Sequence, residues 1–174
     1  RQRQMCKETD TKEIDLTLGY TTGGFSISVT DYWFNGGPGY FHYGSHNTNH
    51  TFEAQIGYDF GPLALNWYTN FAGTDGVNNE GDRAYSSYIS ATVPFTLAGL
   101  EWTAEIGATP WATDFYNYSE DPVCNGSNGF AVCDISLGAA KEIRITDSFS
   151  VPAFAKVTVN PRTEGAYFVF GLSF

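Results

Sequence analysis

From Lys12 to Phe174, apolar and polar residues alternate one for one, segment after segment, and no stretch carries the spacing of a helix. A strand points successive side chains to opposite faces, so this alternation predicts a sheet with one apolar and one polar face. Nine segments show it: 12–20, 24–34, 51–60, 63–71, 84–95, 100–108, 134–145, 151–159 and 166–174. Leu16 and Leu18 fall on the apolar face of the first, opposite Asp15. Ile27 and Ile56 follow in the second and third, the latter opposite Glu53, Gln55 and Asp59. Leu65 and Trp67 oppose Asn66 and Tyr68, Ile89 opposes Tyr88, and Trp102 and Ile106 oppose Glu101 and Glu105. Leu137 opposes Asp134, Glu142 and Arg144, and Val157 opposes Lys156. In the last segment Phe168, Phe170, Leu172 and Phe174 oppose Tyr167. Asp31 and Lys141 break the pattern on the apolar side, which a β-bulge or a place beyond a membrane band would explain.

The connections alternate in length. Tight turns are expected around Thr22-Gly23-Gly24, Gly61-Pro62, Leu97-Ala98-Gly99 and Asp147-Ser148, and longer loops at 35–50, 73–82, 112–129 and 160–165. Consecutive antiparallel strands put every second connection at the same end, so one end carries turns and the other loops. Outer-membrane barrels have this asymmetry. Aromatics make up 17% of the chain, and Tyr20, Trp33, Tyr58, Phe60, Phe71, Phe95 and Trp111 lie near strand ends, where interfacial girdles form. The expectation is therefore an all-β, antiparallel up-and-down transmembrane β-barrel, its apolar residues facing lipid and its polar residues lining a lumen. The alternative is a soluble barrel or sandwich with the same strands turned inside out.

A net charge of −10 argues against a nucleic-acid partner, which needs a basic footprint. Nine strands is an odd number, whereas bacterial single-chain barrels have an even one with both termini on the periplasmic side. The whole chain, 1–174, then reads as the C-terminal portion of one larger barrel domain, with 1–11 an extracellular loop segment.

KEIDLTLGYTTGGFSISVTDYWF, HTFEAQIGYDFGPLALNWYTNFAGTD, GDRAYSSYISATVPF, EIGATPW and SVPAFAKVTVNP…AYFVFGLSF together resemble the TorF-type porin family, outer-membrane β-barrels of Gram-negative bacteria. The resemblance spans Lys12 to Phe174 and implies about three further N-terminal strands, hence a barrel of about 12. It implies a place in the bacterial outer membrane, with membrane lipid, lipopolysaccharide and the barrel-assembly machinery as partners, together with an N-terminal fragment or other subunits. A terminal Phe such as Phe174 resembles the signal that this machinery reads.

The inward acids outnumber Arg144 and Lys156, and acidic rings favour cations, so a porin-like passive channel for small polar or cationic solutes is expected. The alternative is an interaction barrel with a blocked lumen, acting through its loops. No enzyme activity and no cofactor are expected, because all three histidines crowd into FHYGSHNTNH with no nucleophile on a strand. His42, His46 and His50 form a weak candidate metal set, since spacings of four do not converge in an extended loop. GTDGVNNEGD offers hard oxygen ligands without an EF-hand pattern. Cys124 and Cys133 could close a disulfide or stand as free thiols, leaving Cys6 odd.

Overall fold

The computed structural model describes residues 12–44, 47–116, 129–147 and 149–172. They form one antiparallel sheet of nine strands joined in sequence order: β1 (Glu13–Thr22), β2 (Phe25–Phe34), β3 (His50–Asp59), β4 (Ala64–Gly73), β5 (Ser87–Leu97), β6 (Leu100–Thr109), β7 (Ala131–Thr146), β8 (Phe149–Asn160) and β9 (Gly165–Leu172). No helix occurs among the described residues. The fold is thus all-β and up-and-down, as the alternation predicts. The sheet is open, with β1 at one edge and β9 at the other.

The turns sort by end. Gly23 and Gly24 both have positive φ, 53° and 86°, the type I′ geometry that matches strand twist in a two-residue hairpin. The β5–β6 turn repeats it with Ala98 at 54° and Gly99 at 72°. The β3–β4 and β7–β8 connections lie at this same end. The connections after β2, β4, β6 and β8 lie at the other.

Three register shifts interrupt the ladder, at Phe52/Glu53, Gly107/Ala108 and Arg144/Thr146. Phe71, Cys133 and Ile145 are the extra residues, so each bulge resets its strand without turning the face over. β2 has no such shift at Asp31, which stays on the apolar face in direct register with Leu16 and Phe52. Two boundaries differ from those read in the sequence. β5 begins at Ser87, because Tyr85 takes φ 47° and turns the chain before the strand starts. β7 runs from Ala131, earlier than the alternation shows, because the bulge at Cys133 breaks the parity there.

Burial is inverted relative to a water-soluble fold. Leu18 is 81% exposed and Phe170 76%, whereas Asn70 is 1% exposed and Thr30 8%. Among the described residues the buried hydrophobic ones are Ala84, Ala108, Cys133 and Val151, while Thr51, Ser86, Ser87, Ser90, Thr109, Thr113 and Ser136 are among the buried polar ones. Each of Leu16, Leu18, Phe168, Phe170 and Leu172, left in water, forgoes about 1.5–3 kcal/mol of burial.

Candidate functional site on the polar face

Directly paired residues on neighbouring strands share a face. Gln55 pairs with Ser28 and Tyr68, and Tyr68 with Tyr88. Glu53 pairs with Asn70, Asp59 with Ala64, and Asn66 with Ser90. Glu105 pairs with Thr92 and Ser136, Gly107 with Asp134, and Glu101 with Ala140. Glu142 lies opposite Pro152, Arg144 opposite Ser150, Lys156 opposite Gly138 and Val169, and Tyr167 opposite Thr158. Asp15 joins the same face through Tyr32. All fourteen residues read as inward therefore share one face of the sheet. The same registers align Leu16, Leu18, Ile27, Ile56, Leu65, Trp67, Ile89, Trp102, Ile106, Leu137, Val157, Phe168, Phe170 and Leu172 on the other. Phe174 lies outside the described residues.

A cross-strand network binds the polar face together. Ser28 Oγ donates to Gln55 Oε1 at 3.1 Å, and Gln55 Nε2 reaches Tyr68 OH at 3.4 Å and Asn66 Oδ1 at 3.5 Å. Thr17 and Thr30 hydroxyls meet at 2.9 Å. Tyr88 OH points to Glu105 Oε1 at 3.5 Å, its ring lying where a Cβ on Gly107 would stand.

Glu53 is the hub at the loop end of the sheet. Tyr32 OH donates to its Oε1 at 3.2 Å. Tyr116 OH donates to its Oε2, also at 3.2 Å, although Tyr116 belongs to the connection after β6. The end of residues 110–116 thus folds back over the polar face of β3–β5 at Phe115 and Tyr116, while Trp111 at its start packs on Trp67 of the apolar face, ring centroids 5.7 Å apart. Tyr116 packs on Tyr88 with ring centroids 5.6 Å apart, and Phe115 packs edge-on against Tyr116 at 5.1 Å. Burial, then the neighbouring Glu53 carboxylate, pushes the Tyr116 phenol above its ordinary range, so it remains a donor.

The fold-back is tied at its root to the loop after β4. Val77 N donates to Asp114 Oδ1 at 2.8 Å, Trp111 Nε1 to Ala84 O at 2.9 Å, and the Ser86 and Thr113 hydroxyls meet at 2.7 Å. Asp75 organises that loop. Its carboxylate accepts from Gly76 N at 2.8 Å, Ser86 N at 3.2 Å and Asn70 Nδ2 at 3.2 Å, with Arg83 Nε at 3.6 Å. Asn78 Oδ1 likewise accepts from the backbone of Glu80 and Asp82. These oxygens of GTDGVNNEGD are therefore engaged within their own loop.

The histidines do not act together. His50 opens β3 on the apolar side and is fully buried. Its Nδ1 lies 2.6 Å from Asp31 Oδ1 and its Nε2 2.6 Å from Tyr40 O, with Tyr43 stacked on the ring at 4.2 Å. This accounts for Asp31 on the apolar face: it ties down the loop after β2. His42 lies in that loop, and His46 is outside the described residues. No cluster of three His, Cys, Asp or Glu able to hold a metal occurs among the described residues. Cys133 is a buried free thiol; Cys124, Cys6 and residues 1–11 lie outside the described residues.

The polar face is strongly acidic. Glu13, Asp15, Glu53, Asp59, Glu101, Glu105, Asp134 and Glu142 stand against Arg144 and Lys156, and Arg144 pairs with Asp147 at the turn end. Asp134 Oδ1 is buried with no hydrogen-bond donor among the described residues. The sequence reading missed three things: the fold-back of 110–116, the His50–Asp31 pair, and the apolar Phe154 and Val169 on the polar face. Strict parity reveals the last, since Phe154 and Val169 are even and odd out of step with their apolar neighbours. Comparison with protein-family models, with curated proteins and with solved structures yields no match.

Proposed function

We propose that the sheet is the wall of an outer-membrane β-barrel working as a porin-like passive channel for small polar or cationic solutes. The inverted burial carries this reading: the polar face is cross-linked by hydrogen bonds and buries Thr30, Thr51, Asn70, Ser90 and Ser136, while the large residues of the apolar face are exposed. Lipid is the solvent in which that arrangement is stable. The sorted connections and the resemblance to TorF-type porins support it. β1 and β9 run in the same direction, so antiparallel closure calls for an odd number of additional strands, three giving a barrel of about 12. Copies inserted with one orientation cannot supply it among themselves, because β1 and β9 edges of such copies also run parallel. The membrane placement predicts lipid, lipopolysaccharide and the assembly machinery as partners.

Two experiments test the proposal. Alkaline carbonate should leave the protein in the membrane fraction; full release without detergent would refute membrane integration. The folded full-length barrel should give cation-selective steps in planar bilayers, and silence would refute conduction. A second reading, an interaction barrel with a blocked lumen, has one observation in its favour, the fold-back of 110–116 onto Glu53. Currents that rise when 111–116 are shortened, from near zero in the unaltered protein, would favour it.

A further inference from the structure

We propose that the polar face carries, beneath the fold-back, a binding site for a small organic cation, with a methylated ammonium head as the fitting class. The proposal rests on the polar face being open to solutes, as the channel reading holds. A cavity of about 130 Å3 lies there, lined among others by Glu13, Tyr32, Phe34, Thr51, Glu53 and Phe115. Water occupies about 30 Å3 per molecule, so the space suits a group of about four or five non-hydrogen atoms.

The chemistry of the lining selects the occupant. Glu53 is half-buried and receives only the neutral phenols of Tyr32 and Tyr116, and no Lys or Arg forms an ion pair with it among the described residues. A desolvated carboxylate without a counter-cation attracts a positive guest. Glu13 adds a second carboxylate on the same wall. Tyr32, Phe34 and Phe115 also line it, aromatic residues of the kind that cage quaternary ammonium groups. A bare divalent ion fits poorly, because it needs several convergent oxygens where this cavity offers aromatic carbon. A neutral solute would leave Glu53 without a counter-charge. The occupant is thus soft, weakly hydrated and positive.

The test is equilibrium binding by calorimetry on the detergent-solubilised full-length barrel, with choline as the probe and 3,3-dimethylbutan-1-ol as its uncharged isostere. Choline should bind saturably, and the isostere should bind at least tenfold more weakly. Glu53→Gln, which preserves shape, should weaken choline at least tenfold, in line with loss of a charge-assisted contact. Phe115→Ala should weaken it about threefold or more. Unchanged heat-modifiable migration on gels will show that each variant is folded. Equal binding of the isostere, equal competition by sodium at the same concentration, or choline affinity unaffected by Glu53→Gln would each overturn the site. Because binding is read without current, a silent bilayer with choline bound sinks only conduction, and a conducting barrel without choline binding sinks only this site.

Discussion

Replacing Leu137 by arginine separates a lipid-facing wall from a water-facing one. Leu137 is 44% exposed on the apolar face and pairs with Ala104 and Val157. The ten residues of β6 span about 33 Å at roughly 3.3 Å each, or about 25 Å of depth at a tilt near 40°. That equals the apolar band of an outer-membrane barrel. Ala104 lies four residues into β6, about 10 Å deep, so Leu137 sits about 2 Å from the midplane. Arginine at that depth costs about 2–4 kcal/mol, a factor of about 30 to 700 in the folding constant. The same substitution on a half-exposed surface in water costs within about 0.5 kcal/mol. Reversible guanidinium unfolding in phospholipid vesicles, followed by tryptophan fluorescence, measures it. A loss below about 1 kcal/mol would refute the placement of this face in lipid.

Three further outcomes follow from local geometry. His50→Ala removes a buried hydrogen-bond partner of the Asp31 carboxylate and should cost about 1–3 kcal/mol, read as a lowered unfolding midpoint and faster proteolytic nicking within 35–49. Gly73 has φ 74° and its Cβ position collides with the His50 carbonyl, so Gly73→Ala should cost about 2–5 kcal/mol, while Gly39→Ala, with open space around it, should be neutral in the same denaturation assay. Tyr116 should ionise above an ordinary tyrosine when phenolate absorbance is followed with pH. Its folded form holds the proton more tightly, so its contribution to stability is complete below about pH 10 and falls as pH rises beyond it. Phenolate appearing at the ordinary position would mean that Tyr116 is not packed against Glu53.

Strand existence was legible because the period-two signal is local: each of the nine alternating segments forms a strand, and the Gly-rich turns fall between them. Boundaries were legible only where no bulge intervened. Cys133 shifts the parity of β7, so its first residues look out of phase in the sequence. Tyr85 continues an alternating pattern yet adopts a left-handed conformation, because Ser86 N is drawn to the Asp75 carboxylate eleven residues earlier. Asp31 reads as an error on an apolar face until His50, nineteen residues away, is seen against it. The acidic character of the site was legible from Glu53 and its neighbours. The fold-back was not, since the bond from Tyr116 spans sixty-three residues and nothing local in TPWATDFY encodes its target.

The glycines bear on whether the polar face conducts or plugs. Tyr88 lies over Gly107, whose absent side chain its hydroxyl and ring replace. Phe154 lies against Gly171 on the adjacent strand, its ring 2.9 Å from the position a Cβ would take. On a face turned to open water such rings would need no recess, since they could extend into solvent. Here Tyr88 and Phe154 occupy space that a methyl group on Gly107 or Gly171 would fill, as aromatic rings do over glycines in curved sheets. Among the described residues, Phe115 and Tyr116 reach over this face, with Asp114 held to Val77 and Tyr116 to Glu53. In the channel reading proposed above, the Tyr116–Glu53 hydrogen bond is the contact by which the connection after β6 is held to this face, so whether the face conducts or plugs turns on it.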